Sequence, residues 1–423
     1  MSRHDGVRWP GVLLLARRTV YTGPMTTPER DGVALTHLDE PLFDGAGATK
    51  RDLVDYLEAV SGLILPELRG RPLSVIRVRA GQQPFMQKNV PDYAPAWIRT
   101  ITLWAESSRR EVRYALCDDW RTLLWFANQR AVEYHPTLGL AGHLAQPSHL
   151  VLDIDPPPGG PFGQAVAAAR LIRQALDEVG LAGAVKTSGS KGLHVYVPVA
   201  GASAEEAAAA TRAVAVRAER LDPALATTAF IVQDRQGKVF LDSTRAFGAT
   251  VAAAYSPRVR PGVPVSFPLR WEDLDGIGPG DFTVHTVPGL VAGHDAWAGQ
   301  LPAPQALSDA LVGEGRAIPV ARVQAMHEGK RRARARRNPL VRRVPALAEL
   351  GPGRRGAGQL LAVRGPHAVE DEGQVPVTQF GGAPRVGKPD RGHELEHQRD
   401  VVQRQVRAKH VADQAEQFGH ELA

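Results

Sequence analysis

Two aspartates at alternate positions of one apolar segment form the strongest chemical signal in the chain. Residues 149–155 read HLVLDID. Successive side chains of a β-strand point to opposite faces, so Asp153 and Asp155 would share one face, with their Cα atoms ~6–7 Å apart. Paired carboxylates at this spacing are hard oxygen ligands that suit Mg²⁺ or Mn²⁺. The alternative is a strand end at which both side chains are merely solvated, because short motifs often match by chance.

A second apolar segment also ends on a carboxylate. Residues 239–242 read VFLD, so a strand there would present Asp242 at its end. A two-metal phosphoryl-transfer site needs such a carboxylate from a separate strand, because one ion activates the attacking 3′ oxygen while the other holds the triphosphate. We therefore predict that Asp153, Asp155 and Asp242 form one catalytic site that binds two Mn²⁺ or Mg²⁺ ions.

A turn of small residues lies between these two segments. Residues 187–194 read TSGSKGLH, and the backbone N–H groups and hydroxyls of such a turn can surround phosphate oxygens. Lys191 adds a point charge, and His194 lies on the strand face that points away from the core. A plain hairpin turn has the same composition, so both interpretations stay open.

Two arginines, Arg258 and Arg260, follow the third aspartate in the sequence. A guanidinium group suits the oxygens of a triphosphate. The more common state of a single arginine is a solvated surface side chain, and this alternative also stays open.

The elements around these residues predict a mixed α/β fold. Helices are expected where apolar residues recur at helical spacing or a capping box occurs: over 50–60, over 163–179 ahead of Gly180, and from Ser203, which forms a capping box with Glu206, to about 221. Strands are expected where apolar residues alternate: over 149–155, 193–199, 229–233 and 238–242, the last two as a hairpin that turns at 234–237.

Composition narrows the class of protein. The chain has 423 residues, a formal net charge of +6 and a pI near 9.6, which favours a polyanionic partner such as nucleic acid. The single cysteine, Cys117, excludes an internal disulfide framework and fits a reducing compartment. No apolar run approaches the ~20 residues that cross a bilayer. We expect a cytoplasmic, nucleoid-associated protein that does not enter the membrane.

Composition and hydrophobic periodicity along the chain predict three regions. Residues 1–32 form a poorly patterned N-terminal extension, whereas residues 33–316 alternate periodic segments with Gly and Pro, as a folded domain does. Residues 317–423 contain the basic run KRRARARR at 330–337 and almost no aromatic residues. A segment of this kind cannot bury enough apolar surface to offset the entropy of ordering, so we predict a basic, disordered tail.

The ordered set of motifs resembles the polymerase domain of bacterial DNA ligase D, a member of the archaeo-eukaryotic primase superfamily that acts in non-homologous end joining. The matching segments are THLDEPLF at 36–43, LPELRGRP at 65–72, FMQKN at 85–89, VEYHP at 132–136, LDID at 152–155, KTSGSKGLHVY at 186–196, VFLD at 239–242, AYS at 254–256 and RPG at 260–262. The Asp-x-Asp motif alone is weak evidence for the family. Together with SGSKGLH at this distance downstream, the ordered set of motifs is highly specific for it.

The resemblance implies a primase-polymerase fold with mixed central sheets and flanking helices, in which an N-terminal subdomain packs on the catalytic core. It implies a DNA end-joining polymerase, a nucleotidyltransferase that adds ribo- or deoxyribonucleotides to 3′ ends at double-strand breaks. Its substrates would be DNA ends and NTP or dNTP. Its expected partners are the end-binding protein Ku and an ATP-dependent ligase. We expect the ligase to be separate, because the ligase signature Lys-x-Asp-Gly does not occur in the sequence.

The resemblance also implies roles for individual residues. The metal-binding positions are Asp153, Asp155 and Asp242. The positions that contact the incoming nucleotide are Ser188, Ser190, Lys191, His194 and Arg258, together with His135 in the same site and Phe85, which matches an aromatic that stacks on the base. Lys50 matches one of the residues that bind the 5′-phosphate of the downstream strand.

The sequence departs from the family pattern around two of these positions. Arg245 and Ala246 replace a common Gln-Asn pair after the third aspartate, and His37 and Glu40 stand where an asparagine and a lysine bind the 5′-phosphate. These departures support an alternative function, a catalytically weakened DNA-end-binding module that recruits a ligase.

Overall fold

The structure, a computed structural model, describes residues 28–79, 81–105, 110–246, 250–292 and 295–320. All of them belong to the first of the two units into which the chain divides after Arg322. The predicted N-terminal extension up to residue 27 and the predicted tail from residue 321 onward lie outside the described residues. The described fold begins before residue 33, because Glu29–Arg30 pairs with Val33–Ala34.

Helices and strands alternate along the described chain. The strands are β1 (Glu29–Arg30), β2 (Val33–Ala34), β3 (Pro72–Arg79), β4 (Gln82–Gln87), β5 (Thr100–Ala105), β6 (Arg110–Leu116), β7 (Ala131–Pro136), β8 (Gly139–Leu140), β9 (His143–Pro147), β10 (His149–Asp155), β11 (Ala184–Thr187), β12 (Leu193–Pro198), β13 (Ala226–Thr227), β14 (Val239–Asp242) and β15 (Pro268–Leu269). The helices are α1 (Lys50–Ala59), α2 (Ser61–Leu68), α3 (Trp120–Asn128), α4 (Phe162–Asp177), α5 (Ala204–Leu221), α6 (Val287–Leu290) and α7 (Asp309–Ala317).

A five-stranded antiparallel sheet forms in the first half of the described chain. Its order is β4-β3-β6-β5, and β7 pairs with the other edge of β3. Helices α2 and α3 contact β7, and α1 packs on α3. The predicted helix over 50–60 is confirmed as α1. It begins at a capping box in which the Thr49 hydroxyl accepts from the backbone N–H of Asp52, while the Asp52 carboxylate accepts from that of Thr49.

A six-stranded sheet carries the aspartates. Its order is β13-β14-β10-β12-β11-β15, and every neighbouring pair is antiparallel except β13 with β14. The strands predicted over 149–155 and 193–199 are confirmed as the two central strands, β10 and β12. The two helices predicted downstream are confirmed as α4 and α5, and the capping box of Ser203 and Glu206 opens α5. Both helices contact the sheet and each other, and α7 packs on α5.

The predicted hairpin of 229–233 and 238–242 is wrong in its first half. Residues 232–234 form a 3-10 turn, and β14 pairs antiparallel with β10 and parallel with β13. A turn does occur at Gln236 and Gly237, whose φ angles are 53° and 75°. Turn composition, however, does not determine which segments pair. Every residue of β14 is buried, and the strand pairs along both edges, as an interior strand of the sheet does.

The first sheet packs on residues that border the second sheet. The backbone N–H of Ala253 donates to the carbonyl of Tyr134, whose own N–H donates to the Ser256 hydroxyl at 2.9 Å. The Tyr56 hydroxyl of α1 donates to the carbonyl of Tyr255 at 2.7 Å. The result is a mixed α/β fold in which the N-terminal half packs on the half that carries the aspartates, as the resemblance implies. None of the helices in the described ranges is long and apolar enough to cross a membrane.

Candidate active site

The register of the second sheet brings the predicted aspartates together. Asp153 of β10 lies directly opposite Asp242 of β14, and opposed residues of an antiparallel pair have Cα atoms only about 4.5–5.5 Å apart. Asp155 follows two residues along on the same face, with a half-buried side chain, whereas Asp153 and Asp242 are buried. The three carboxylates therefore form one acidic cluster at the end of β10, as the alternation in the sequence predicts.

A tight backbone approach fixes the end of β10. A Cβ atom on Gly192 would lie 2.0 Å from the carbonyl oxygen of Ile154, a distance that no side chain permits. Glycine at position 192 lets the turn before β12 pass directly beside the strand that carries the aspartates. The smallness of this turn thus has a structural role, independent of any phosphate.

Arg245 bridges two of the aspartates. Its Nη2 lies 3.0 Å from Oδ2 of Asp153, and its Nε lies 3.2 Å from Oδ2 of Asp242. The arginine comes from the 3-10 turn Thr244–Ala246, directly after β14. The sequence singled out Arg245 only as a departure from the family pattern, because spacing along the chain does not show where a long side chain points.

A chain of polar groups lies behind Asp153. Nε2 of His194 is 3.3 Å from Oδ1 of Asp153, and Nζ of Lys186 is 2.8 Å from Nδ1 of His194. Lys186 also contacts the Ser266 hydroxyl. Burial and the charge of Lys186 lower the pKa of His194 to about 4. The ring is therefore neutral at pH 7, accepting at Nδ1 and donating from Nε2 to the carboxylate.

The structure corrects the expected position of His194 and adds Lys186 to the site. His194 does face the carboxylates, but it is as buried as the apolar residues of β12, because every position of that strand is covered. Lys186 was not predicted as a site residue. Its signal is a lysine inside an otherwise apolar strand, a position at which an ammonium group needs polar partners.

Asp153 and Asp155 have opposite electrostatic environments. Burial and the neighbouring charge of Asp153 raise the pKa of Asp155 to about 7. Burial also acts against ionisation of Asp153, but His194 and Arg245 outweigh it and hold the pKa of Asp153 well below its usual range. A cluster that holds one carboxylate firmly ionised and disfavours charge on its neighbour needs positive charge close by.

The donor set has the chemistry of a divalent metal site. Carboxylates from two adjacent strands, with a third two residues along, are the ligands that Mg²⁺ and Mn²⁺ prefer. Within the described ranges, no three or more His, Cys, Asp and Glu side chains are arranged around a single point that could hold an ion. The charge that faces both Asp153 and Asp242 is the guanidinium of Arg245.

The predicted phosphate-binding turn is an ordered hairpin turn between β11 and β12. The hydroxyl of Ser188 is buried and accepts from the backbone N–H groups of Ser190 and Gly192, each at 3.2 Å. Those two N–H groups are therefore engaged within the turn, as the plain-turn interpretation expects. The side chains of Ser190 and Lys191 are partly exposed and remain accessible to a ligand.

Arg258 connects this turn to the first sheet. Its Nη1 donates to the carbonyl of Ser188 at 2.5 Å, and its Nε lies 3.0 Å from Oε2 of Glu133. The same carboxylate oxygen lies 2.8 Å from Nε2 of His135, so His135 meets the site through Glu133. Arg258 is buried, which contradicts the solvated alternative. Glu133 was missed, although it shares a strand face with His135 two residues away.

Comparison with known proteins establishes the family. The sequence model described as "LigD, primase-polymerase domain" matches residues 49–297. The chain belongs to this family. Similar proteins are the bifunctional non-homologous end joining protein LigD of Bacillus subtilis, 33% identical over 62% of this chain and 42% of that protein, and the multifunctional non-homologous end joining DNA repair protein LigD of Mycobacterium tuberculosis, 34% identical over 59% of this chain and 34% of that protein.

A solved structure gives the same picture for the fold. The polymerase domain from Mycobacterium tuberculosis Ligase D, in complex with DNA, aligns with a TM-score of 0.57 and 31% identity, covering 63% of this chain and 97% of that domain. The chain spans only a third to about two fifths of the length of the two LigD proteins. The likeness therefore concerns the polymerase domain of those longer proteins.

Phe85 of this LigD-type domain lies on the first sheet, whereas the aspartates lie on the second. It sits on β4 opposite Arg77, and the guanidinium groups of Arg77 and Arg79 lie 5.7 and 5.0 Å from its ring centroid. His135 is two strands away and three residues along, or about 14 Å at ~3.3 Å per residue and ~4.8 Å between strands. The stacking role of Phe85 stays a prediction.

Lys50 of the LigD-type domain is buried rather than presented at the surface. Its Nζ donates to the carbonyl of Thr36 at 2.5 Å, and burial together with the charge of Arg130 lowers the pKa of Lys50 to about 8. Glu40 pairs with Arg130 and lies 2.8 Å from Nδ1 of His37. The phosphate contact of Lys50 stays a prediction, and it requires the side chain to turn outward.

Proposed function

We propose that this LigD-type domain adds nucleotides to the 3′ ends of broken DNA, using two Mg²⁺ or Mn²⁺ ions held by Asp153, Asp155 and Asp242. The observation that supports this most strongly is the register that sets Asp153 opposite Asp242, with Asp155 on the same strand. When bound, the ions supply activation of the attacking 3′ oxygen and neutralise charge on the triphosphate.

The residues behind the carboxylates position them. Buried strands fix the backbone of Asp153 and Asp242, and His194 donates to Asp153 from a ring that Lys186 holds in one tautomer. A partner behind a ligand fixes its orientation and tunes its basicity. We therefore assign His194 a positioning role for Asp153, in addition to the nucleotide contact that the family resemblance implies.

The turn between β11 and β12 is the proposed binding place for the triphosphate. Ser190 and Lys191 present partly exposed side chains there. The charge of Lys191 favours ionisation of Asp155, against the effect of burial on the pKa of that carboxyl. Arg258, fixed by Glu133, lies against the carbonyl of Ser188. A lysine within the turn and a buried arginine that contacts it would neutralise an anionic ligand next to the acidic cluster.

DNA is the proposed second substrate. The similar polymerase domain of Mycobacterium tuberculosis was solved in complex with DNA, and the similar LigD proteins are named for non-homologous end joining. The net charge of +6 fits a polyanionic partner. We propose double-strand break ends as the target, with Ku and an ATP-dependent ligase as partners.

Extension of a 3′-overhang duplex tests the proposal. The full chain should add nucleotides with Mn²⁺, and either nucleotide class can be offered. Asp153→Ala should abolish addition and leave DNA binding intact, because DNA affinity comes mainly from Lys and Arg contacts with phosphates. Asp275→Ala, which removes an exposed carboxylate paired with Arg170, serves as a matched control with unchanged addition. Appreciable extension by Asp153→Ala would exclude the metal assignment.

A second candidate function is a DNA-end-binding module with weakened catalysis. The observation that favours it is the guanidinium of Arg245 between Asp153 and Asp242. Such a protein would bind a 3′-overhang duplex and protect its ends, but it would not extend them at any Mn²⁺ concentration. The same extension assay, run alongside a binding assay, separates the two functions.

A further inference from the structure

We propose that Arg245 is a built-in competitor for the metal site, a tethered cation that neutralises Asp153 and Asp242 and leaves when divalent ions bind. The inference rests on the proposed metal site. Its basis is the position of the guanidinium, which lies 3.0 Å from Oδ2 of Asp153 and 3.2 Å from Oδ2 of Asp242.

Charge and burial explain why the site holds such a group. Asp153 and Asp242 are buried and lie directly opposite each other on adjacent strands. Like charges directly opposite in a sheet are destabilising, and a buried carboxylate without a partner is more costly still. One guanidinium that contacts both carboxylates offsets this repulsion.

The arginine uses the oxygens that an ion would need. Oδ1 of Asp153 faces Nε2 of His194 at 3.3 Å, and Oδ1 of Asp242 accepts from the backbone N–H of Thr244 at 2.8 Å. The two remaining oxygens face Arg245. Every oxygen of the two opposed carboxylates therefore already lies against an N–H group or the charged guanidinium, and an ion that used both carboxylates would have to displace Arg245.

Arg245 can leave without unfolding the sheet. It lies in a 3-10 turn after β14 rather than on the strand itself, and 29% of its side chain is exposed. An arginine has a long flexible side chain that readily keeps its charged end in water. In this mechanism the arginine keeps both carboxylates ionised and in place when no metal is bound. The apparent affinity for a divalent ion then depends on how well the ion competes with the guanidinium.

Mn²⁺ binding to the full chain without DNA or nucleotide tests the inference, for example by the loss of the free Mn²⁺ electron paramagnetic resonance signal. Arg245→Gln should bind Mn²⁺ about tenfold or more tightly than the wild type. Arg245→Lys keeps the charge but cannot bridge both carboxylates, so its affinity should lie between the two. Arg170→Gln, which removes the same formal charge from an arginine paired with the exposed Asp275, should not change affinity.

Thermal unfolding gives a second measurement that does not depend on affinity alone. With a chelator present, Arg245→Gln should unfold at a lower temperature than the wild type, and Mn²⁺ should raise its midpoint by more than it raises that of the wild type. If Arg245→Gln unfolds under all conditions, Arg245→Lys decides the question by the same two measurements.

The failures of the two proposals are distinguishable. Loss of Mn²⁺ binding in Asp153→Asn, together with unchanged or weaker binding in Arg245→Gln, would leave the metal site standing and overturn the competition by Arg245. Absence of Mn²⁺ binding in the wild type and in every variant would overturn both. Binding by Arg245→Gln but not by the wild type would support the inference most strongly.

Discussion

Glu133 and Arg258 form a buried ion pair, 3.0 Å between Oε2 and Nε, that ties the first sheet to the turn beside the aspartates. The other oxygen of Glu133 accepts from the backbone N–H of Val259 at 2.8 Å, and His135 lies against the first. One carboxylate thereby holds the side chain of Arg258, the backbone that follows it and the ring of His135. This network links the N-terminal half of the fold to the proposed nucleotide site.

The first prediction concerns pH. Burial opposes ionisation of Glu133, but Arg258 and His135 outweigh it and lower the pKa of Glu133 to about 2. A carboxyl whose pKa is lowered by folding contributes stability that is full above its ordinary pKa of ~4.3 and is lost as the pH falls toward the folded value. The free energy of unfolding should therefore fall between about pH 4.3 and pH 2, with Glu133 contributing on the order of 3 kcal/mol.

Glu133→Gln tests this contribution by chemical denaturation at several pH values. At pH 7 the variant should be less stable than the wild type by about 3 kcal/mol, because Arg258 loses its buried partner. The difference should shrink steadily as the pH falls below about 4. Glu272→Gln, an exposed carboxylate that lies 3.7 Å from Arg270, is the control, with little change at any pH. An equal difference at pH 7 and pH 3 would contradict the assignment.

The second prediction concerns the glycine beside β10. Gly192→Ala should lower the free energy of unfolding by about 3 kcal/mol and reduce nucleotide addition, because the new Cβ would sit 2.0 Å from the Ile154 carbonyl and push the strand that carries the aspartates. Gly163→Ala is the matched control. A Cβ there meets nothing within 4 Å, and alanine in α4 should stabilise by roughly 0.5 kcal/mol. Equal effects of the two changes would show that the close approach is unimportant.

The elements that the sequence predicted well are those with local causes. The alternation of HLVLDID determines which face of β10 carries Asp153 and Asp155, whatever strand pairs with it. The capping box of Ser203 and Glu206 is satisfied within one turn of α5. Both patterns are complete within a few residues, so they do not depend on the rest of the fold.

The features that the sequence missed depend on distant partners. Arg245 meets Asp153 only because β14 pairs with β10, and Glu133 meets Arg258 across residues far apart in the chain. The predicted hairpin was wrong for the same reason, since local turn composition cannot show that β14 prefers two other strands. Sequence spacing predicts which face a residue occupies, and tertiary pairing determines what it contacts.

The third prediction concerns α7 and the boundary of the domain. α7 packs on α5, with Leu311 and Val312 buried and the Gly315 carbonyl accepting from Arg212. A chain that ends after Arg322 should keep the unfolding midpoint and the Mn²⁺-dependent extension of the full chain. A chain that ends after Ser308 should unfold at a lower temperature, because it exposes the face of α5 that α7 covers. Equal midpoints for the two truncations would show that α7 does not stabilise the domain.

The last prediction concerns the 5′-phosphate. The cluster next to Lys50 contains Glu40, which pairs with Arg130 and His37, while Lys50 itself donates inward to Thr36. A carboxylate ~4 Å from a phosphate is repulsive by several kcal/mol at an effective dielectric near 20, and by less where water reaches it. The wild type should therefore bind gapped DNA with a 5′-phosphate and with a 5′-hydroxyl about equally, in a direct binding titration at fixed salt.

Removing that carboxylate should create a preference. Glu40→Gln deletes the negative charge and frees Arg130 to form charge-assisted hydrogen bonds with a phosphate, so the variant should bind the 5′-phosphorylated gap several-fold more tightly than the 5′-hydroxyl gap. Glu58→Gln is the matched control, because Glu58 is an exposed glutamate paired with a different arginine, Arg30, and its loss should leave discrimination unchanged. A wild type that already prefers the phosphate tenfold, with no change in Glu40→Gln, would show that Glu40 does not face the DNA end.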